Sequence, residues 1–146
     1  MGFRTRLRYR FGDIDDGGIA YFPKLLHYFH CAFEDWWSDA LGRPYAKVLH
    51  EDLLGYPAVK VDAEFFAPVR YGDEPWVHLG VLRIGNSSLQ VAFWMTRGDD
   101  PRPLCSARIT MAAVDMRTLQ KTPIPEPWRS KFAEYALRED QVPNGR

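Results

Sequence analysis

The sequence predicts an α+β fold: a curved antiparallel sheet of about five strands wrapped around one long central helix. Three observations carry this. From Lys24 to Leu41 apolar residues recur at three- and four-residue steps, the period of a helix. Elsewhere, runs with the character of strands are punctuated by Gly, Pro, Asn and Asp. The order is one strand run, the long helix, then four strand runs, and the simplest way to bury such a helix is against the sheet those strands make.

The first run alternates Phe3, Thr5, Leu7, Tyr9 and Phe11 with Arg4, Arg6, Arg8 and Arg10, which reads as a half-buried strand with its charges on one face. A loop of Asp and Gly follows, then Pro23, suited to a first helical turn. In the helix, Leu25, Leu26, Tyr28, Phe29, Ala32 and Phe33 begin an apolar surface that Trp36, Trp37, Ala40 and Leu41 continue, covering more than half the circumference. Such a helix is buried on several sides. Gly42 supplies its stop. Residues through Pro57 read as a loop, and strand runs follow at about 58–67, 75–84, 87–97 and 103–116. Gly85-Asn86 turns the second run into the third, because both residue types tolerate positive φ. A short helix is expected around 126–137, with a polar, frayed tail from about 138.

The 146 residues form one domain with 46% apolar content, enough for a real core. Lys plus Arg and Asp plus Glu both number 19, so no electrostatic footprint for nucleic acid or anionic membrane is present. Cys31 and Cys105 lack metal-ligand spacing and read as buried thiols; no metal is expected. The N-terminal residues lack the apolar segment of a signal peptide, and no run is long enough to span a membrane, so a cytoplasmic location is expected.

Residues 11–23 concentrate the chemistry: Asp13, Asp15 and Asp16, then Gly17-Gly18, immediately before the helix. A carboxylate beside a helix N-terminus offers an anionic base or nucleophile together with unpaired N–H groups that stabilise a carbonyl oxygen gaining charge. The plain alternative is an N-capped helix start behind an ordinary turn.

The motif Phe11-Gly-Asp13-Ile-Asp15-Asp16-Gly17-Gly18-Ile-Ala-Tyr21-Phe22-Pro23 resembles that of the hotdog-fold acyl-CoA thioesterases, within the 4-hydroxybenzoyl-CoA thioesterase-like group. Phe65-Phe66-Ala-Pro-Val-Arg-Tyr-Gly-Asp73 resembles the turn leading into that family's central hairpin. The resemblance covers about residues 3–135. It implies that Asp15 is the catalytic carboxylate and that Asp13 braces the loop. It further implies that the Phe22 N–H polarises the thioester carbonyl and that Gly18 lets the chain approach substrate. Tyr21 lies beside this site and is a candidate wall of the acyl pocket. The family's sites sit at two-fold interfaces, implying a homodimer or homotetramer.

Three departures are specific to this chain. Phe22 stands where the Tol-Pal-associated branch tends to carry His, which moves the site toward the aroyl-CoA branch. Asp16 replaces the usual Pro or Ala and is expected to face solvent, since a second anion would raise its neighbour's pKa. The hairpin Arg83-Ile84-Gly85-Asn86-Ser87-Ser88 lacks the basic cluster that holds CoA phosphates. Candidate CoA contacts are therefore dispersed: Arg70, Arg83, Arg97 and the polar Asn86, Ser87 and Ser88.

The expected activity is hydrolysis of an acyl- or aroyl-CoA thioester to free acid and CoA. CoA enters as part of the substrate and no separate cofactor is implied. Asp15 serves as nucleophile or as general base; the residues alone leave both open. The chain has no Gly-x-Ser-x-Gly elbow and no His/Glu metal motif. Two other readings remain: a hotdog acyl-thioester dehydratase, which needs a His paired with an acid, and a non-catalytic acyl-binding or dimerisation module.

Overall fold

The computed structural model describes residues 2–145 apart from Tyr9, Asp15, Asp16 and Ile19. Strand β1 is Phe3–Arg6, and helix α1 runs from Phe22 to Trp36. A π-helical turn, Trp37–Leu41, extends α1 to Gly42, whose φ of 85° ends it. Next come α2 (Tyr45–His50), β2 (Leu54–Gly55), β3 (Ala58–Phe65), β4 (Trp76–Ile84), β5 (Ser88–Thr96) and β6 (Pro103–Ala112). The chain closes with β7 (Val114–Asp115), β8 (Gln120–Lys121) and α3 (Trp128–Ala133).

The main sheet has five strands in the order β1-β4-β5-β6-β3, every pair antiparallel. Its register explains the alternation in the sequence. Phe3, Leu79, Phe93, Ala107 and Ala63 lie in one row across all five strands and point toward α1. The neighbouring row, Arg4, His78, Trp94, Ser106 and Glu64, points to the opposite face. A one-residue slip would exchange the two sets, so burial of one face fixes the register.

Helix α1 lies on the inner face. Leu25, Tyr28, Phe29, Ala32, Phe33 and Trp36 are buried along it at helical spacing, with the Phe29 and Phe93 rings 5.4 Å apart. The outward positions His27, His30 and Glu34 are exposed. Beyond Trp36 the cover changes. Trp36 stacks on Phe132 at 5.4 Å, and Trp37 meets Trp128 edge-on at 4.7 Å, so α3 closes the C-terminal half of the long helix. A helix apolar over so much of its surface is thus covered by sheet on one side and by α2 and α3 on the other.

Several expectations are corrected. β1 ends at Arg6, with one further bond from the Leu7 N–H to the Pro75 carbonyl, and Phe11 begins a 3-10 turn with its side chain 80% exposed. The segment read as a loop before Pro57 contains α2 and β2, and β2 joins β7 and β8 in a small second sheet. The tail expected to fray is strapped across the outer sheet face. Leu137 and Tyr135 exchange backbone hydrogen bonds with Val81, Arg108 Nε donates to Glu139 at 2.6 Å, and Val142 is buried against Ala92 and Trp94. Gly80 makes room for it, since a Cβ there would overlap the Leu137 side chain.

Candidate active site

The loop between β1 and α1 is closed at both ends by hydrogen bonds. Ile14 and Ala20 form an antiparallel bridge, the Ala20 N–H donates to the Val69 carbonyl at 2.6 Å, and the Tyr21 N–H donates to the Asp13 carbonyl at 2.9 Å. Within this closed turn Gly18 has φ of 80°, a conformation that excludes most side chains. Asp15, the expected catalytic carboxylate, and Asp16 belong to the same turn in sequence and lie outside the described residues.

Asp13 makes the contacts of a brace. Its carboxylate accepts from the Arg10 N–H at 3.0 Å and from the Tyr28 hydroxyl, with Lys24 Nζ 3.9 Å away. Burial raises the Asp13 carboxyl, but the Tyr28 hydroxyl, the Arg10 N–H and the Lys24 charge outweigh it and hold the group below the ordinary carboxylate range. Burial and the adjacent carboxylate push the Tyr28 phenol up, so it stays a proton donor. The same hydroxyl lies 3.1 Å from the Arg8 carbonyl, tying α1 to two points in the first half of the loop.

The opening of α1 supplies the electrophilic element. Tyr21 is the N-cap residue and makes no side-chain cap, Pro23 has no N–H, and the Lys24 N–H is taken by the Tyr21 carbonyl. The Phe22 N–H is left facing out of the first turn, with no acceptor among the described residues. Beside it is an open cleft of about 480 Å³ lined by Ala20, Phe22, Leu25 and the 65–69 segment. Phe22 (60% exposed) and Phe65 (49%) meet edge to face across it at 6.2 Å. Tyr21 lies against Phe22 at 5.7 Å but does not line the cleft. Phe65, the last residue of β3, carries no role in the sequence motif; its two-residue spacing from Ala63 and Val61, with which it shares the inward register, is the signal that identifies it as a wall.

The candidate CoA contacts divide into two groups. Arg70 and Arg97 sit near the cleft, both engaged with Asp73; Arg97 Nη2 donates to Asp73 at 3.1 Å and to the Pro68 carbonyl at 2.9 Å. Arg83, Asn86, Ser87 and Ser88 lie at the other end of the sheet, roughly 27 Å away by strand rise along β4. There the Gly85 and Asn86 carbonyls accept from Arg129. One protomer therefore does not bring the six residues together.

Three of the four histidines have other partners. His27 lies 3.5 Å from the Cys31 sulfur, and His30 pairs with Glu34 at 3.5 Å. His78 stacks on Trp94 on the outer face with Nε2 2.9 Å from Thr96 Oγ1; burial, with Arg4 nearby, lowers its pKa to about 4. No helix among the described residues is long and apolar enough to cross a membrane.

The sequence pattern of the Thioesterase-like superfamily matches residues 9–132. A 1,4-dihydroxy-2-naphthoyl-CoA hydrolase from Prochlorococcus marinus is 30% identical over 121 residues, spanning 78% of this chain and 77% of that one. The 1,4-dihydroxy-2-naphthoyl-CoA hydrolase of Synechocystis is 23% identical over 122 residues, 84% of this chain and 88% of that one. The crystal structure of the Synechocystis 1,4-dihydroxy-2-naphthoyl-CoA thioesterase superposes with a TM-score of 0.82 at 22% identity, covering 92% of this chain and 97% of the other. That likeness establishes the hotdog fold: five antiparallel strands around one long helix. With the match running from the loop after β1 into α3, most of its length, the chain belongs to the thioesterase-like superfamily.

Proposed function

We propose that the protein hydrolyses an acyl-CoA thioester carrying a bulky, aroyl-type acyl group, releasing the free acid and CoA. One observation carries the reading: the Phe22 N–H at the first turn of α1, with no acceptor among the described residues, beside an aromatic-walled cleft and directly after the closed loop that holds Asp15 in sequence. The relatives that act on dihydroxynaphthoyl-CoA support the choice of acyl class.

In this mechanism the thioester carbonyl lies against the Phe22 N–H, which, with the positive end of α1, stabilises the oxyanion as the carbonyl carbon becomes tetrahedral. Asp15 takes a proton from water as the hydroxide adds, or attacks directly to form an anhydride that water then opens. Either route expels the CoA thiolate, which leaves without a dedicated acid. Asp13, Tyr28 and Arg8 hold the loop and touch no substrate. CoA is part of the substrate, no further cofactor is involved, and the proposed location is the cytoplasm.

The working unit we propose is a homodimer joined through β3. That strand is an unpaired edge of the sheet with Val59, Val61 and Phe65 exposed. Its outward residues Lys60, Asp62 and Glu64 are self-complementary, because an antiparallel second copy sets Lys60 opposite an acidic residue. Such pairing also carries the second copy's Arg83–Ser88 hairpin toward this protomer's cleft, uniting the two groups of candidate CoA contacts. Thiol release from a panel of acyl-CoAs tests the activity. Release from aroyl-CoA well above the uncatalysed rate is expected, and no release from any thioester would overturn the reading. A monomeric mass at micromolar concentration would overturn the dimer.

A further inference from the structure

A second cavity, of about 300 Å³, lies between α1 and the sheet, deeper along the helix than the cleft at its N-terminus. Leu26, Phe33, Val61, Phe93, Ile109 and Met111 form its apolar walls. Its position relative to Phe22 follows from register. Phe22, Leu26, His30 and Phe33 succeed one another at steps of four, four and three, so they share one stripe of α1. Val61 and Phe65 share the inner face of β3. The cleft and the cavity therefore lie in line along the α1–β3 seam. By helix rise the near wall at Leu26 is about 6 Å beyond Phe22, and Phe33 is about 16 Å beyond it.

The far end carries polar groups, and none of the described residues lining it presents a free charge. The Tyr56 N–H donates to the Tyr45 hydroxyl at 2.8 Å, and the Tyr56 hydroxyl is buried with no hydrogen-bond partner among the described residues. Burial raises the pKa of both phenols, so both are neutral. His30, at the rim, is paired with Glu34. Among the described residues no spare cation lines the cavity for a carboxylate or phosphate, whereas an uncharged apolar group finds apolar walls beneath the open mouth at Val61. At about 300 Å³ the cavity is at the lower end of the range for small-molecule pockets and is sized for one ring system or a medium chain.

Resting on the thioester reading above, we infer that this cavity receives the distal part of the acyl group, and that Leu26 and Ile109 set which acyl sizes the protein accepts. The carbonyl stays at Phe22 while the acyl body runs along the seam toward Tyr45. A second copy seated over β3 would roof the mouth at Val61 without filling the interior.

The test uses two opposed variants of the full chain and two readouts. Leu26→Trp narrows the entrance, and Ile109→Ala enlarges the interior. Turnover is measured on acetyl-, octanoyl- and 1-naphthoyl-CoA, and affinity is measured calorimetrically with the non-hydrolysable thioethers S-ethyl-CoA and S-octyl-CoA. Wild-type protein is expected to bind S-octyl-CoA at least tenfold more tightly than S-ethyl-CoA. Leu26→Trp should erase that preference and cut kcat/KM for the two large thioesters at least tenfold while changing acetyl-CoA less than threefold. Ile109→Ala should shift the preference toward larger groups, and it decides the matter if Leu26→Trp fails to fold. Active enzyme whose size preference neither variant moves would overturn the inference and leave hydrolysis standing. A preserved S-octyl preference that Leu26→Trp abolishes, with no turnover of any thioester, would support the cavity and sink hydrolysis. A Leu26→Trp protein with altered mass in solution and unaltered size preference would mark the cavity as part of an interface, which also overturns it.

Discussion

Replacing Tyr28 with Phe removes a single oxygen from the centre of the loop brace. The Tyr28 hydroxyl donates to the Asp13 carboxylate, whose side chain is only 13% exposed, and contacts the Arg8 carbonyl at 3.1 Å. Without it, Asp13 keeps the Arg10 N–H and the distant Lys24, and a largely buried carboxylate loses its one hydroxyl donor. Hydrogen bonds to charged groups contribute about 1.5–3 kcal/mol, so Tyr28→Phe should cost about 2 kcal/mol. For a chain of this size that lowers Tm by roughly 4–8 °C. The pH dependence carries a second signature. The Asp13 carboxyl is held below its unfolded value, so its stabilisation is fully present above the ordinary carboxylate range and is lost as pH falls through the lower folded pKa. Tyr28→Phe should shrink that acid-limb loss. The assay is urea unfolding of wild type, Tyr28→Phe, Asp13→Asn and the double variant at several pH values below and above 4. A coupling energy of about 1–2 kcal/mol is expected from the cycle. Strict additivity, or a Tyr28→Phe variant within about 0.5 kcal/mol of wild type, would refute the brace.

Three further outcomes test other parts of the fold. Phe132 is fully buried between Trp36 and Trp37, so Phe132→Ala should cost about 3–5 kcal/mol in urea unfolding if α3 is integral to the core. Gly80→Val should force Leu137 off the sheet, costing about 1–3 kcal/mol and making the 136–145 strap the first site of limited proteolysis. His78 is held neutral, with a folded pKa of about 4 against an ordinary value of 6.5. The unfolded chain therefore binds the extra proton first, and stability should fall as pH drops from about 6.5 toward 4. Thermal melts of wild type against His78→Gln across that window should show the steeper slope in wild type.

The main architecture was legible in the sequence because its signals are local and periodic. The strand-like runs 75–84 and 87–97 joined by the Gly85-Asn86 turn mark the central hairpin, and the three- and four-residue steps mark α1. What escaped depends on long-range packing. β2, β7 and β8 are two residues each, too short for any period, and exist only because Leu54 and Lys121 both reach Val114–Asp115. Leu137 ends the expected helix and Val142 is an isolated apolar residue in a polar tail, and only the hydrophobic patch at Trp94, Ala92 and Leu82 gives them somewhere to go. Phe11 continues a strand period that the 3-10 turn at Phe11–Asp13 interrupts. For the site, the Asp-Gly loop and the helix start were readable as a motif. The tyrosine that braces Asp13 sits fifteen residues on, and only α1 brings it back. Residue chemistry alone groups the 83–88 hairpin with Arg70 and Arg97, whereas the register places it at the far end of the sheet.

The central claim is that Asp15 and the Phe22 N–H perform thioester hydrolysis. Thiol release from 1-naphthoyl-CoA by wild type and by Asp15→Asn, each shown by circular dichroism to be folded, tests it most directly. Clear turnover by wild type and a loss of at least about a hundredfold in kcat for Asp15→Asn are expected. A folded Asp15→Asn protein that turns over within a few-fold of wild type would contradict it.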